Sequence, residues 1–395
     1  MIDIILHKII FNDKINSLFF DMMILIKFII ILSILSPLKS YDFDTDTVKT
    51  KELTYAVELF SDGYIIPWGM AFLPNRQMLV ADLSGKLYLV SKDGKSKSEI
   101  SGVPEVYFKR QGGLMDVEID PNFSKNKLIY ISYSHSIGKK SFTRVARAKL
   151  VNNSLKNLKV IYKADEKHYT KRAIHFGSRI IFDNEYMYFS IGDSYERKEA
   201  QDINTPNGKI HRTFHDGTIP NDNPFNDENG NKSSIWCYGN RNPQGLAIAK
   251  DGTIWELEHG PMGGDELNII RKGVNYGWPT ITYGRNYSGT KISNYTEMEG
   301  MEQPIWHWTP SIAVCGMKVY ENKLFEPWQD NILVTSLKDE YLERVIVKNG
   351  KYVDRESVYK PGNRVRDVEV GPLGKIYVAL EDPGRIVVLS PVPKN

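Results

Sequence analysis

Six copies of a two-strand pattern constrain the fold of this chain more than any other feature. In each copy an apolar run leads into a turn of Pro, Asn, Asp or Gly, and an alternating strand rich in Tyr, Ile, Leu and Val follows. The copies begin near Trp68, Leu114, Ser178, Gln244, Gly316 and Arg366. Short antiparallel sheets repeated along a chain pack side by side in a ring. The pattern therefore predicts an all-β protein, a six-bladed β-propeller with blades of four antiparallel strands.

Insertions separate the copies. Successive copies lie roughly 45 to 70 residues apart, whereas minimal propeller blades take ~40 to 50 residues. No long amphipathic helix competes with the strand pattern, and we expect residues 41–395 to form a single propeller domain. A β-sandwich or two separate β domains are the alternatives, because short strands with regular turns do not by themselves establish closure of a ring.

Residues 1–40 have the layout of a secretory leader. Lys27 precedes the apolar run 28–35, and Ser36 and Pro37 end that run. The run is too short to span a bilayer comfortably. We therefore expect export to the periplasm or the medium, followed by cleavage and no stable membrane insertion. An uncleaved membrane anchor and a merely buried apolar segment are the alternatives.

The charge balance and the cysteine count exclude several classes of protein. The chain has 51 Lys and Arg residues against 48 Asp and Glu residues, a formal net charge of +3, which gives no reason to expect nucleic-acid binding. Two cysteines in 395 residues exclude a disulfide framework and a multi-cysteine metal site. Cys237 and Cys315 could form one bridge in an oxidising compartment, and the sequence leaves their pairing open.

Polar residues at the strand ends of the third repeat suggest acid–base chemistry. His175 precedes the first strand of that repeat, and Asp193 follows the second. A neutral imidazole in this position can act as a general base, and a buried carboxylate of the same blade can orient it and stabilise its protonated form. The alternative is a structural histidine, which is common beside strands.

Two further segments suggest ligand binding. The segment 238–246 contains Arg241 and Asn242 between glycines, which suits recognition of an anion or a carbonyl group, although Arg241 in a structural ion pair is the alternative. The segment 258–266 joins a glycine-rich backbone to the carboxylates of Asp265 and Glu266. Carbonyl and carboxylate oxygens are the ligands that Ca²⁺ takes, but the spacing does not match an EF-hand.

A cluster of cations is predicted near the channel of the propeller. Arg364 and Arg366 are two residues apart in a strand and point to the same side, and Lys338 ends a strand of the preceding repeat. Together with Arg241 they would place four cations at one channel. Such a cluster requires a polyanionic ligand or buried carboxylates, unless the four residues make unrelated surface ion pairs.

The motifs, in this order, resemble the soluble quinoprotein glucose/sorbosone dehydrogenases. The resemblance is strongest to the periplasmic aldose sugar dehydrogenases, which use pyrroloquinoline quinone (PQQ), and it runs from Trp68 to Leu389. The motifs that carry it are Gln111–Leu114, His175–Arg179, Gly192–Asp193, Gly208–Ile210, Asp216–Pro224, Gly239–Leu246, Gly260–Pro261, Asp265–Asn268, Asn275–Pro279 and Arg364–Asp367.

The resemblance implies a function: oxidation of aldose sugars at the anomeric carbon to lactones, with PQQ and Ca²⁺ as cofactors. It implies that His175 takes the proton of the anomeric hydroxyl while hydride passes to the quinone, and that Asp193 holds the imidazole. An aldose and an unidentified electron acceptor, a cytochrome or the quinone pool, are the implied partners. The residues implied to contact PQQ are Gln111, Arg241, Asn242, Lys338, Arg364, Arg366 and, by stacking, Trp308.

The resemblance also implies two Ca²⁺ sites. The carbonyls of Gly260 and Pro261 would hold the ion that polarises the quinone carbonyl. A second, structural ion would use Asp265 or Glu266 and the carbonyl of Tyr276. The short loop after Asp193 suggests an open cleft and a broad range of aldoses.

Two functions of other kinds remain as alternatives. One is a non-catalytic propeller that binds a glycan or a protein, because a fold alone does not establish chemistry. The other is a Ca²⁺-dependent sugar lactonase, whose metal would lie on side-chain carboxylates in the central channel.

Overall fold

The structure, a computed structural model, describes residues 46–226 and 229–392. The predicted leader, residues 1–40, lies outside the described residues. In chain order the strands are β1 (Asp46–Lys49), β2 (Thr54–Tyr64), β3 (Pro67–Phe72), β4 (Met78–Asp82), β5 (Lys86–Val90), β6 (Lys97–Ile100), β7 (Leu114–Ile119), β8 (Leu128–Ile137), β9 (Lys140–Val151), β10 (Ser154–Lys163), β11 (Ile180–Phe182), β12 (Tyr186–Ile191), β13 (Lys209–Phe214), β14 (Ile235–Tyr238), β15 (Pro243–Ile248), β16 (Ile254–Glu258), β17 (Asp265–Ile270), β18 (Trp306–Trp308), β19 (Val314–Tyr320), β20 (Asn331–Ser336), β21 (Leu342–Lys348), β22 (Lys351–Tyr359), β23 (Val365–Val370), β24 (Ile376–Leu380) and β25 (Gly384–Pro391).

Helices are minor elements of the described chain. They are the α-helix α1 (Phe123–Asn126) and the 3₁₀-helices Glu166–His168, Arg197–Gln201 and Lys323–Trp328, all in connections between strands. None of the helices in residues 46–226 and 229–392 has the length and hydropathy needed to cross a bilayer.

Six antiparallel sheets form a closed ring, which confirms the predicted six-bladed propeller. Blades 1 to 5 are the four-stranded sheets β3–β6, β7–β10, β11–β14, β15–β18 and β19–β22. Each of the six sequence repeats supplies the first two strands of a blade. The first strand of each blade packs beside the first strand of the next, and β23 packs beside β3 to close the ring.

The sixth blade contains strands from both ends of the described chain. Its order is β1-β2-β25-β24-β23, so it has five strands where the sequence pattern predicts four. The extra strand is β1, which pairs antiparallel with β2 from Asp46 opposite Val57 to Lys49 opposite Thr54. The polar and mostly exposed residues of β1 carry no periodic signal that a sequence pattern can detect.

Alternating side chains fill the spaces between the blades. On β16, Trp255 and Leu257 point into the apolar core between blades 4 and 5. Their neighbours Glu256 and Glu258 point to the opposite side of the sheet, towards blade 3. Cys237 and Cys315 are both buried as free thiols, in blades 3 and 5, so they do not pair in this structure.

A buried ion cluster joins the inner strands at the centre of the ring. The Nη1 of Arg179 lies 3.1 Å from Asp116 Oδ1 on blade 2 and 3.1 Å from Asp367 Oδ1 on blade 6. The same guanidinium lies 4.4 Å from the ring centroid of Trp68 on blade 1. We call Arg179, Asp116 and Asp367 the central ion cluster.

Candidate active site

A cavity of about 320 Å³ opens among loops at one end of the ring. These loops join neighbouring blades or neighbouring strands of one blade. The lining residues are Gln111, His175, Arg241, Asn242, His259, Gly260, Pro261, Met262, Tyr287, Pro310, Ser311, Ala313 and Lys338. The structure thus brings seven of the predicted site residues to one cavity: Gln111, His175, Arg241, Asn242, Gly260, Pro261 and Lys338.

His175 and Asp193 form a buried pair at the wall of this cavity. The Nδ1 of His175 lies 2.7 Å from Asp193 Oδ1, and both residues are almost inaccessible to solvent. On the opposite side of the imidazole, Arg241 Nη2 donates to His175 Nε2 at 3.2 Å. Because a guanidinium can only donate, Nε2 carries the lone pair and Nδ1 carries the proton. His175 is therefore in the tautomer whose Nε2 can accept a proton, as a general base must.

Electrostatics keep this imidazole neutral. Burial and the nearby charge of Arg241 lower the pKa of His175 below its ordinary value of 6.5, although the hydrogen bond with Asp193 raises it. Burial alone would raise the pKa of Asp193, but the hydrogen bond with His175 and the nearby charge of Arg241 hold that pKa below 3.8. A neutral imidazole therefore faces an ionised carboxylate near pH 7, as general-base catalysis requires.

Asp193 is held by donors other than His175. Its Oδ1 also accepts from the backbone N–H of Tyr195 at 2.7 Å, and its Oδ2 accepts from Trp278 Nε1 at 2.9 Å. The carboxylate therefore has little freedom to rotate away from the imidazole. Sequence reasoning missed this function of Trp278, although the residue lies within the motif 275–279.

Backbone strain is concentrated around the pair. His175 has a φ of 55°, Ser194 of 50° and Tyr195 of 69°, all in the left-handed region that non-glycine residues seldom adopt. Across the cavity Ala313 has a φ of 56°. Such conformations persist where surrounding contacts determine them, and they are frequent at functional sites.

The guanidinium of Arg241 lacks a carboxylate partner among the described residues. Its Nη1 donates to the carbonyls of His259 at 2.7 Å and Gly260 at 3.3 Å, and its Nη2 donates to His175. Its Nε is buried and has no hydrogen-bond partner in the described chain. A buried cation whose acceptors are all neutral is suited to an anionic ligand.

Three other predicted residues complete the polar lining. Lys338 Nζ donates to the Ser311 carbonyl at 2.8 Å and lies 3.9 Å from Asp339, with its side chain more than half exposed. The side-chain oxygen of Gln111 accepts from the backbone N–H of His175 at 2.7 Å. The side-chain oxygen of Asn242 accepts from the N–H of Gly177 at 3.0 Å. These oxygens hold the His175 loop, and their amide NH₂ groups remain available as donors.

Arg364 and Arg366 do not line this cavity. Arg364 Nε donates to Glu381 Oε2 at 2.7 Å, and Arg366 Nε donates to Glu381 Oε1 at 2.6 Å. Arg366 Nη1 also contacts the side-chain oxygen of Gln244 at 3.3 Å. The predicted four-cation cluster is thus divided: one buried carboxylate neutralises two of its members, and Arg241 and Lys338 alone face the cavity.

Trp308 also lies away from the cavity, so the prediction that it stacks on the cofactor needs correction. The side chain is 2% exposed and packs in the core between blades 4 and 5. Its Nε1 donates to Glu343 Oε2 of blade 5 at 2.9 Å. Pro310, two residues later, lines the cavity in its place.

Asp265 is fully engaged in hydrogen bonds and does not fit a metal ligand. Its Oδ1 accepts from the Gly260 N–H at 2.7 Å. Its Oδ2 accepts from Ser311 Oγ and the Ile312 N–H, each at 2.9 Å, and from the Ala313 N–H at 2.7 Å. Asp265 therefore ties together two loops that line the cavity, and its predicted contact with Ca²⁺ is replaced by this structural function.

Glu266 is half-buried and belongs to an acidic cluster between blades 3 and 4 whose other members are buried. Glu256 pairs with Asn268 across the hairpin, and Glu258 pairs with Glu266, so the four side chains share one face of the sheet. Burial raises the pKa of Glu256 and of Glu266 well above 4.5 and that of Glu258 to about 7. Among the described residues no cation pairs with them, and Glu256 Oε1 and Asn268 Oδ1 lack hydrogen-bond partners.

The donor set of this cluster fits a hard cation, although its present geometry does not form a metal site. Within residues 46–226 and 229–392, no three His, Cys, Asp or Glu side chains are placed so that they could hold a metal ion. The hydroxyl of Tyr276 donates to the Ile269 carbonyl at 2.7 Å, which fixes this residue beside the same hairpin. In the described chain nothing donates to the Tyr276 carbonyl, so that oxygen remains free for a ligand.

His259 lines the cavity and is a further residue that sequence reasoning missed. Its Nε2 lies 3.3 Å from the side-chain oxygen of Gln244, and burial lowers its pKa well below 6.5. It directly precedes the Gly260–Pro261 motif, which is the one sequence signal that could have identified it.

Comparison with known proteins yields one family. The family model described as "Glucose / Sorbosone dehydrogenase" matches residues 64–388. The aldose sugar dehydrogenase YliI of Escherichia coli strain K12 is 38% identical over 349 residues, which cover 86% of this chain and 93% of that protein. Quinoprotein glucose dehydrogenase B of Acinetobacter calcoaceticus is 25% identical, over 80% of this chain and 83% of its own length.

A solved structure gives the same result. The crystal structure of the soluble aldose sugar dehydrogenase from Escherichia coli, in the apo form, superposes with a TM-score of 0.81 at 37% identity. The match covers 86% of this chain and 100% of that one. The similarity therefore includes the whole propeller and the loops that carry the cavity.

Proposed function

The chain belongs to the glucose/sorbosone dehydrogenase family, and from this premise we propose that it oxidises aldose sugars at the anomeric carbon to lactones, with PQQ and Ca²⁺ as cofactors. The observation that carries the proposal is the His175–Asp193 pair at the wall of a cavity that also contains the unneutralised guanidinium of Arg241. Related enzymes named as quinoproteins and aldose sugar dehydrogenases support the choice of cofactor and substrate.

The cavity residues fit a polyanionic cofactor. PQQ has three carboxylates, and the unpartnered Nε of Arg241 together with Lys338 offers positive charge to such groups. The amides of Gln111 and Asn242 supply neutral donors at the same wall. When bound, PQQ supplies an ortho-quinone that accepts hydride, and Ca²⁺ polarises a quinone carbonyl.

His175 acts on the sugar hydroxyl in this proposal. Its Nε2, which holds the lone pair, takes the proton of the anomeric hydroxyl, and Asp193 stabilises the resulting imidazolium through the 2.7 Å contact at Nδ1. The guanidinium of Arg241 now donates to that lone pair, so anchoring an anionic cofactor at Arg241 would release Nε2 for the substrate.

Two groups of oxygens would hold Ca²⁺. Gly260 and Pro261 line the cavity, and the Gly260 carbonyl already accepts from the cationic Arg241. Glu266 and the Tyr276 carbonyl would hold a structural ion, and the carboxyl groups of Glu256 and Glu258, on the same face of the sheet, would lose their protons more readily beside it.

The rim of the cavity favours a broad range of aldoses. Tyr287 is 69% exposed and Met262 is 46% exposed where they line it, so neither side chain closes over the cavity. We further propose that the protein acts in the periplasm or the medium, as its leader-like first 40 residues suggest.

The test is an absorbance titration of the apoprotein with PQQ and Ca²⁺, followed by addition of glucose, galactose, xylose or maltose. We expect the wild type to bind the quinone and to convert it to the reduced form on addition of sugar. His175→Asn should bind the quinone but reduce it far more slowly. Asparagine is chosen because it tolerates the left-handed backbone at this position.

His215→Asn is the matched control. His215 also pairs with a carboxylate, Asp120 Oδ2 at 3.4 Å, but it does not line the cavity. This variant should reduce the quinone at the wild-type rate. Failure of the wild type to bind PQQ in the presence of Ca²⁺ would contradict the proposal and favour a propeller that recognises a glycan or a protein.

A further inference from the structure

Six exposed cations lie together on one sector of the ring, beside the mouth of the cavity. They are Lys109, Arg110, Lys139, Lys140, Lys171 and Arg172. We call this surface the basic patch. The chain as a whole carries a net charge of only +3, so this patch is a local excess of positive charge.

Hydrogen bonds hold the three segments of the basic patch together. Arg110 Nη1 donates to the Arg172 carbonyl at 3.3 Å. Ser141 and Thr170 exchange two backbone hydrogen bonds, of 2.8 and 3.2 Å, which place Lys140 beside Lys171. The cations therefore share one continuous surface, although they come from three loops.

Within the described part of the chain, none of the six cations forms a salt bridge. Three exposed acidic residues lie on the same loops, Glu105, Asp165 and Glu166, and none of them pairs with a cation of the patch. Asp165 lies 4.0 Å from Lys167, which is outside the patch. Like charges that are not neutralised within the molecule repel one another, and an acidic partner surface would relieve that repulsion.

An exposed aromatic side chain lies beside the cations. Phe108, next to Lys109, is 50% exposed. An aromatic side chain with cations around it is the arrangement that protein interfaces use, with an apolar anchor in the centre and charges at the rim.

The basic patch is connected directly to the cavity wall. Gln111, which lines the cavity, follows Arg110, and its backbone N–H donates to the Ala173 carbonyl at 3.2 Å. The side chain of Gln111 accepts from the N–H of His175, three residues after Arg172. A protein docked here would lie against the loops that carry the catalytic residues.

We propose that the basic patch is the docking surface for an acidic redox protein that removes electrons from the reduced enzyme. The inference rests on the proposed function, because oxidation of an aldose to a lactone releases two electrons and two protons. One-electron acceptor proteins would dock in succession, each taking one electron, and the protons would pass to solvent. Charge attraction would accelerate each encounter at low ionic strength.

The experiment compares two triple variants with equal changes of charge. Lys139→Glu, Lys140→Glu and Lys171→Glu reverse three charges of the basic patch. Lys92→Glu, Lys95→Glu and Lys125→Glu reverse three exposed charges at the opposite end of the ring. None of the six side chains contributes to the cavity.

The probe is plastocyanin of the acidic type, a one-electron copper protein. Its reduction by the holoenzyme and glucose is followed by stopped-flow absorbance, and its affinity for the holoenzyme without sugar is measured by titration calorimetry at low and high salt. The small trication tris(phenanthroline)cobalt(III) serves as an acceptor that needs no docking surface.

We expect the patch variant to reduce plastocyanin about tenfold to a hundredfold more slowly than the wild type at low salt, with a matching loss of affinity. High salt should remove most of the difference. The control variant should stay within about threefold of the wild type, because only its net charge has changed. Reduction of the cobalt complex should not fall in either variant.

Several results would overturn the inference. Equal losses in the two variants would mean that net charge, not the patch, attracts the partner. Unchanged affinity and rate in the patch variant would exclude this surface. A wild type that reduces neither acceptor would refute the proposed function instead, and the calorimetric comparison would then still decide whether the patch binds an acidic protein.

Discussion

Two buried arginines of this propeller differ in what surrounds their charge. Arg179, in the central ion cluster, lies 3.1 Å from each of two carboxylates, Asp116 and Asp367. Although burial opposes it, the charges of these carboxylates raise the pKa of Arg179. Arg241, at the cavity, donates only to two carbonyls and an imidazole, and its Nε has no partner in the described chain.

The difference shows how to separate a structural cation from a functional one. Both guanidinium groups are buried, so burial alone does not distinguish them. What distinguishes them is neutralisation: an arginine with carboxylate partners stabilises the fold, whereas one with only neutral acceptors has capacity for an anion. Substitutions near Arg241 should therefore impair function, and substitutions near Arg179 should impair stability.

The largest expected effect is the loss of the base beside Arg241. His175→Asn should lower kcat by about 10²- to 10⁴-fold, because removal of a positioned general base has that cost. Steady-state kinetics at saturating PQQ and Ca²⁺ would measure it. The free energy of unfolding of the apoprotein, from urea denaturation, should change by less than about 1 kcal/mol. A loss of unfolding free energy as large as the loss of activation free energy would contradict the distinction between a functional site at Arg241 and a structural one at Arg179.

Disruption of the central ion cluster should have the converse effect. Arg179→Leu leaves Asp116 and Asp367 buried without a cation, which should destabilise the fold by about 3–5 kcal/mol in urea denaturation. Adding Asp116→Asn and Asp367→Asn should restore much of that loss, because no uncompensated charge remains. An Arg179→Leu protein as stable as the wild type would contradict a structural function for this cluster.

Arg241→Met should weaken PQQ binding by about tenfold to a hundredfold, as loss of a charge-assisted hydrogen bond does. The apoprotein should keep its free energy of unfolding within about 1 kcal/mol, because the charge removed has no carboxylate partner. Absorbance titration and urea denaturation give the two values. Unfolding of the apoprotein as severe as in Arg179→Leu would show that the two arginines do not differ in function.

The pH profile provides a finer test of the cavity electrostatics. Burial and Arg241 lower the pKa of His175, so the neutral, active form should persist below pH 6.5. The apparent pKa of the acid limb of kcat/KM should accordingly lie below 6.5. In Arg241→Met at saturating PQQ the limb should move to higher pH, because the repelling charge is gone. A limb at the same pH in both proteins would exclude this coupling.

Trp278→Phe should have the smallest effect. It removes the 2.9 Å hydrogen bond from Nε1 to Asp193 but leaves the donors of His175 and Tyr195 in place. A loss of about threefold to tenfold in kcat is expected for one positioning hydrogen bond, with a shift of the acid limb. A fall in PQQ affinity with kcat unchanged would mean that Trp278 serves the cofactor and not the carboxylate.

The sequence predicts the ring well because each blade repeats the same apolar alternation. The pair His175 and Asp193 is also predictable, since both residues lie at strand ends of one blade, and strands β11 and β12 bring those ends together. The strand β1 is not predictable, because its polar residues are ordered only by pairing with β2.

Side-chain partners in other hairpins or blades are the part that sequence reasoning cannot supply. Alternation places Arg364 and Arg366 on one side of a strand. Nothing in the neighbouring sequence shows that Glu381, which directly follows the next strand β24, neutralises both. The partner of Trp308 is equally unpredictable from sequence, because Glu343 of the following blade accepts its hydrogen bond. In both examples the partner lies beyond the window over which strand periodicity carries information.

The closing sheet has a consequence for the time course of synthesis. Strand β2 pairs with β25 from Tyr55 opposite Pro391 to Tyr64 opposite Gly384. A ribosome that has made β2 must therefore translate nearly the whole chain before the partner strand exists. Until then β2 exposes unpaired backbone groups, and the ring stays open. Because this pairing joins strands so far apart in sequence, closure of the ring is a late step of folding, and the open edge of β2 is unprotected until it occurs.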